Sequence, residues 1–270
     1  MSDDALVRAR EALSRAQAVI LCTGAGMGVD SGLPDFRGDE GFWRAYPPMR
    51  ALGLSFSEMA QPRWFDEDPT LAWGFYGHRA KLYRDTVPHE GHAALLRALG
   101  DRPAFAITSN VDGQLLRAGW DEARIVEIHG RIAWLQCTQC RTPAWHAPDL
   151  DVDVDPTSFR ARRALPRCPE CGAMARPNVL MFGDWGWEES VTDLQQLRLD
   201  SWRRGVALEH TLVLECGAGT SIPSIRRTSE RLLRQGATLV RINVREADGP
   251  EGTISLAMGA RDALLAMTAA

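Results

Sequence analysis

Short apolar runs punctuate the chain at residues 18–22, 104–108, 124–128, 211–215 and 237–242, each giving way to glycine or polar residues. Runs of this length, with little polar alternation, predict strands buried on both faces. Between them, apolar residues recur at helical spacing. Leu6, Ala9, Leu13 and Ala16 share one face of a helix expected over 4–16. Further helices are expected over 89–99, 112–118, 224–235 and 260–267. Strands alternating with helices predict an α/β fold, a Rossmann-like parallel sheet with helices on both faces. Such sheets bind ligands beyond the carboxyl ends of their strands, and the polar motifs of this chain follow the apolar runs. Two segments break the rhythm: 39–84, rich in Trp, Phe and Pro, and 136–172.

The second interruption carries two cysteine pairs, Cys137-x-x-Cys140 and Cys168-x-x-Cys171. Two intervening residues let a tight turn aim both sulfurs inward, so each pair can hold one edge of a tetrahedral zinc ion. A redox motif needs only one pair. Four protein ligands leave no open position, so the zinc is expected to hold structure rather than do chemistry. The 27 residues between the pairs exceed a usual zinc-ribbon separation, so a loop is expected to bulge there, with the acidic stretch 149–155 solvated. The expected division is a Rossmann-like domain from 1–38, 85–135 and 173–270, a helical insertion over 39–84, and a zinc-binding module over 136–172 within the small domain.

Composition narrows the class. A 270-residue chain with 45% hydrophobic residues can bury a large core. A net charge of −4 offers no electrostatic footprint for nucleic acid or an anionic membrane. No apolar stretch approaches a membrane span. Met1, Ser2, Asp3 and Asp4 do not begin a signal peptide. Metal-spaced cysteines fit a reducing compartment, and Cys22 and Cys216, inside apolar runs, read as inert core. The expectation is a cytoplasmic protein.

After the first run come Gly24, Ala25 and Gly26, which let backbone N–H groups approach a pyrophosphate. Val29 stands where a dinucleotide fingerprint has its third glycine, so the glycines alone indicate only a tight turn. Asp35, Phe36 and Arg37 then place an acid, an aromatic and a permanent cation nearby. With these residues the sequence resembles the sirtuin family, whose signature matches 24–38 with Leu33 in place of Ile. The resemblance continues, in the family's order, over nearly the whole chain. It takes in Thr108 to Asp112, His129 with Gly130, the four cysteines, and Arg176 to Gly183. Gly219, Thr220 and Ser221 follow, and then Asn243.

The resemblance implies an NAD-dependent protein-lysine deacylase with one structural zinc, acting on acyl-lysine proteins or peptides. It implies that His129 is the general base, a role suited to a near-neutral imidazole. Asn110 would orient the ribose and Asp112 hold the nicotinamide carboxamide, with Phe36 and Arg37 closing over the sugar. It places Gly24, Ala25, Gly26, Asp35, Ser109, Gly219, Thr220, Ser221 and Asn243 around the cofactor. Val179, Phe182 and Gly183 would lie along the substrate peptide. A capping role after a strand would account for only one of Asn110 and Asp112. Tyr76 and Arg79, three apart on a predicted helix, could receive a carboxylate at the end of an acyl chain, and the same spacing occurs in sirtuins that remove succinyl, malonyl or glutaryl groups. An exposed Arg beside a Tyr is the plainer reading. His92 reads as scaffold, and Trp43, Trp64, Trp73, Trp185 and Trp187 as core and groove walls.

The chain also departs from the family pattern. Gly28 replaces Ser, Ser109 replaces Gln, Leu115 stands near the place of a missing His, Asp184 shortens a Glu, and Trp185 replaces a smaller residue. These changes leave two alternatives open, a protein mono-ADP-ribosyltransferase and a non-catalytic NAD-sensing module. Retained His129 favours deacylation.

Overall fold

The computed structural model describes residues 3–34 and 38–269; Asp35, Phe36 and Arg37 therefore lie outside the described residues. Six strands form a wholly parallel sheet: β1 (Ala18–Thr23), β2 (Ala104–Thr108), β3 (Ile125–Glu127), β7 (Thr211–Cys216), β8 (Thr238–Ile242) and β9 (Ile254–Leu256). Their order is β3-β2-β1-β7-β8-β9, the doubly wound arrangement in which the chain reverses its direction of travel between β1 and β7. Every residue of β1 and of β7 is buried, which is why both read as continuous apolar runs.

The strand pleat divides those residues between two cores. Val19 and Leu21 face a cluster with Leu13 of helix Asp3–Arg15, Leu95 of helix Glu90–Leu99 and Leu264 of helix Ala260–Thr268. Ile20 and Cys22 face the opposite cluster, with Leu199 of helix Ser190–Arg203 and Ile225 and Leu232 of helix Ser224–Arg234. Cys216 joins the first cluster, so both lone cysteines are core.

A second sheet orders β5 (Trp145–His146), β4 (Gly130–Cys137) and β6 (Ala175–Val179), all antiparallel. The interruption expected to be helical holds helices Gly38–Ala45, Pro47–Ala51, Phe56–Met59, Trp64–Glu67 and Pro69–Asp85. Helix and sheet share a largely aromatic core. Phe42, Tyr46 and Phe75 meet edge-on or tilted at centroid distances of 5.0–5.9 Å, and Trp73 donates to the Ala175 carbonyl at 3.0 Å.

No residue of the acidic stretch 149–155 is buried, and arginines pair three of its carboxylates: Arg84 reaches Asp151, Arg162 pairs Asp155 and Arg163 pairs Asp153. Trp185 also departs from expectation. Asp184 turns inward to accept both Nη atoms of Arg176, at 2.7 and 2.9 Å, and this leaves Trp185 99% exposed instead of in a core or groove wall. No helix among the described residues is long and apolar enough to cross a membrane.

Candidate active site and metal centre

An opening of about 820 Å³ lies beyond the carboxyl ends of β1, β2, β3 and β7, at the switch point of the sheet. On the sheet side Gly24 and Ala25 follow β1. The loop after β7 approaches them so closely that a Cβ on Gly24 would lie 2.7 Å from Ala218 Cα. A Cβ on Gly217, whose φ is +65°, would lie 2.3 Å from the Met27 nitrogen. This bare-backbone cradle suits a dinucleotide at the switch point. From the β7 loop, Gly219 and Ser221 also line the cavity.

After β2, Ser109, Asn110 and Asp112 reach the same opening. Asn110 Nδ2 donates to the Gly24 carbonyl at 2.9 Å, binding the β2 end to the glycine loop. Asp112 Oδ1 accepts from the Gln114 amide at 2.8 Å, an Asx-turn just ahead of helix Gln114–Arg117, whose N-cap position is Gly113. The Asp112 carboxyl remains exposed enough to line the cavity, and burial raises its pKa to about 6 against the pull of the Gln114 amide and Arg79.

His129 follows β3 as the last residue before the second sheet begins. Gly130 has φ +72° and passes so near β6 that a Cβ would lie 2.1 Å from the Asn178 carbonyl oxygen. The His-Gly pair thus couples a cavity-facing imidazole to a close crossing that only glycine permits. Burial lowers the His129 pKa, opposed by a hydrogen bond to the Ser109 backbone. The imidazole is neutral at physiological pH and can accept a proton.

The opposite wall comes from the smaller half. Val179, Leu180, Met181 and Phe182 line it, with the Leu180 amide donating to the His129 carbonyl and the Phe182 amide to Ala60. Tyr76 and Arg79, from helix Pro69–Asp85, complete the wall, both buried. Their hydroxyl and guanidinium are not partnered with each other. Arg79 donates through Nε and Nη2 to Tyr83, at 2.9 and 2.7 Å, while the Tyr76 hydroxyl has no hydrogen-bond partner among the described residues. Tyr83 is the cavity residue most readily missed from sequence, yet it lies at Arg79+4 and Tyr76+7 on one helical face.

Four expected residues do not line the opening: Gly26, Gly183, Thr220 and Asn243. Thr220 donates to Glu246 at 2.5 Å. Asn243 donates to the Ala218 carbonyl at 2.9 Å and accepts from the Arg245 and Glu246 amides, so it shapes the β7 and β8 loops from behind. Arg245 and Glu246 themselves line the cavity. His92 is buried against His89, ring centroids 4.5 Å apart, as scaffold would be.

Away from the cavity, Cys137, Cys140, Cys168 and Cys171 bring all four sulfurs within 4.8 Å of one another. The Cys137–Cys171 and Cys140–Cys168 separations are both 3.6 Å. A zinc tetrahedron with bonds of about 2.3 Å has edges of about 3.8 Å, so the thiols fit one zinc ion.

The Sir2 family model matches residues 24–199. An NAD-dependent protein deacylase of Pyrococcus furiosus is 36% identical over 182 residues, which is 67% of this chain and 66% of that protein. NAD-dependent protein deacylase 1 of Caldanaerobacter subterraneus is 30% identical over 190 residues, 70% of each chain. The mitochondrial NAD-dependent protein deacylase sirtuin-5 of Danio rerio is 33% identical over 192 residues, 65% of this chain and 60% of that one. The match to the Pyrococcus relative spans just under two thirds of its length. Among solved structures, an ADP-ribose complex of a mutated Sir2 homologue superposes with a TM-score of 0.71 at 25% identity, covering 99% of this chain and 95% of that one. A Sir2 homologue bound to NAD gives 0.72 at 24% identity, over 97% and 92%, a likeness of fold.

Proposed function

The chain belongs to the Sir2 family, and on that premise we propose that it is an NAD-dependent protein-lysine deacylase of the cytoplasm. The observation that carries this reading is a convergence. His129, Asn110 and Asp112 share one cavity with the Gly24–Ala25 turn on one side and the 179–182 strand end on the other. A cofactor and an extended peptide could therefore meet at an imidazole.

In this reading the glycine turn and the 217–221 loop hold the diphosphate, Ser109 and Asn110 face the sugar, and Asp112 faces the amide of the base. Asp35, Phe36 and Arg37, outside the described residues, are assigned to the same cofactor. Gly26, Thr220 and Asn243 support its loops. NAD, when bound, supplies the sugar carbon that accepts the acyl oxygen and departs as nicotinamide and O-acyl-ADP-ribose. His129 takes the proton from a sugar hydroxyl, which its burial-lowered pKa permits at neutral pH. Val179, Phe182 and Gly183 flank the peptide, and Tyr76 and Arg79 wall the acyl end, where acetyl and short acidic acyl groups are the candidates. The zinc ion would hold β4 against the knuckle at Cys168 and Cys171, far from any proton transfer. The parallel-sheet segments within 1–38, 85–129 and 184–270 serve as the cofactor half, and 39–84 with 130–183 as the smaller half, wider than the 136–172 expected from sequence because β4 and β6 pair in the second sheet.

The test is to incubate the protein with NAD and matched acetyl-, succinyl- and longer-acyl-lysine peptides while following peptide mass. NAD-dependent loss of an acyl group is the expected result. Intact peptides, with adenine label transferred to protein, would replace deacylation with ADP-ribose transfer. Binding of NAD without release of nicotinamide would leave a sensing module.

A further inference from the structure

A guanidinium takes a carboxylate most strongly along an edge that presents two parallel N–H groups. In this molecule one such edge of Arg79, formed by Nε and Nη2, donates through both nitrogens to the Tyr83 hydroxyl. The phenol is well anchored. Tyr83 is 6% exposed, and its ring centroid lies 5.4 Å from the Arg79 guanidinium carbon. Its backbone carbonyl accepts from Arg117 Nη1 at 2.8 Å and from Gln114 Nε2 at 3.4 Å, which fixes the end of the helix. Tyr83 lines the same cavity as Tyr76, Arg79 and Asp112.

We propose that Tyr83 sets acyl selectivity by occupying the Nε/Nη2 edge of Arg79, so that the pocket favours neutral acyl groups over those ending in a carboxylate. The inference rests on the deacylase reading and sharpens it, because the Tyr76–Arg79 spacing alone points toward acidic groups. A succinyl carboxylate that claims this edge must displace the Tyr83 oxygen and leave a buried phenol without its partner. Loss of a buried hydrogen bond of this kind weakens binding by about tenfold or more. Tyr83 is thus a positioning residue that acts through Arg79. Its phenol oxygen, already accepting two N–H groups, holds the cation in place within the ring of aromatic side chains.

The experiment compares wild type, Tyr83→Phe, Arg79→Met and the double variant. Binding of matched acetyl- and succinyl-lysine peptides is measured by calorimetry, and NAD-dependent turnover of both is followed in parallel. Tyr83→Phe keeps the buried ring and removes only the oxygen. The succinyl-to-acetyl affinity ratio is expected to rise about tenfold in Tyr83→Phe, with the change in KM rather than kcat. The same substitution in the Arg79→Met background is expected to leave the ratio unmoved. An unchanged or lowered ratio in Tyr83→Phe overturns the proposal, as does an equal effect with and without Arg79. A fall in both affinities together marks a merely structural role and overturns it too. Absence of turnover by wild type with either peptide would sink the deacylase reading, while the binding ratio would still decide the part played by Tyr83.

Discussion

The six-stranded sheet and the smaller half bury their interiors by opposite means. The sheet is aliphatic, with β1 and β7 wholly enclosed and helices closing both faces. One buried cluster of charge lies within it. Arg241 and Glu215 are both fully buried, paired through Nε–Oε1 at 2.5 Å and Nη2–Oε2 at 3.0 Å. Glu230, Ser229 and the Asp248 carbonyl supply the remaining bonds. The smaller half is aromatic inside, and around the 17-residue helix Pro69–Asp85 several of its elements are short: β5 has 2 residues, and helices Phe56–Met59 and Trp64–Glu67 have 4 each. Such pieces cannot persist on backbone hydrogen bonds alone. They depend on cross-links, namely Arg160 to Asp68, Arg176 to Asp184, and the four thiols. One half can stand on its ladder; the other stands on its ties.

The largest effect should therefore come from cutting the strongest tie. Cys137→Ala is expected to abolish zinc retention and to lower stability by more than about 5 kcal/mol, since structural zinc sites contribute about 10–16 kcal/mol of apparent binding energy. Metal analysis and thermal melting read this directly, and a full zinc complement with an unaltered melting curve would refute it. Next is the charge inside the sheet. Arg241→Met strands Glu215 among apolar strands and should cost about 3–5 kcal/mol by urea denaturation. Combining it with Glu215→Gln should recover part of that loss; no recovery would mean that packing, rather than charge, is what Arg241 supplies.

His129 lies on the seam, two residues beyond the end of β3 and immediately before the glycine that opens β4. His129→Ala should reduce deacylation by about 10²–10⁴-fold with no comparable change in melting temperature. Turnover equal to wild type would remove the imidazole from the reaction.

The same contrast governs what could be read from sequence. The five strands expected from apolar runs are those with enclosed aliphatic residues, and the structure contains all of them. The sixth, Ile254–Leu256, has only 3 residues and gives no run to detect. Helix Ser190–Arg203 was hidden because only Gln195 and Leu199 are buried along it, too few for an apolar face. In the smaller half, composition indicated helices but not their boundaries, since tertiary contacts decide where four-residue helices begin. At the cavity, motif residues carried by strand ends were legible: Gly24, Asn110, Asp112 and His129 all line it. Asn243 and Thr220 lie outside the cavity lining, a distinction that sequence order does not draw. Tyr83 was legible in principle, yet helical spacing could not say which tyrosine Arg79 would choose.

A final comparison sets the seam against the rest of the sheet. Glu127 ends β3, buried, with Gln195 Nε2 donating to it at 3.1 Å and Arg131 Nε 3.6 Å away. Burial outweighs both partners and raises its pKa to about 7, from an ordinary 4.5. The fold therefore binds a proton that the unfolded chain releases between those values. Stability attributable to Glu127 is fullest below pH 4.5, declines as pH rises toward 7, and is constant above that. Glu127→Gln keeps the Gln195 contact and removes the titration. The stability difference between wild type and variant should shift by up to about 3 kcal/mol between acid and alkaline pH, in favour of the variant at pH above 7. Arg131 retains Glu122 at 2.8 Å, so the substitution does not leave it without a carboxylate. A difference that is flat from pH 5 to pH 8 would mean that Glu127 is ionised throughout, with Arg131 rather than burial governing it. The seam would then be no more strained than the sheet beside it.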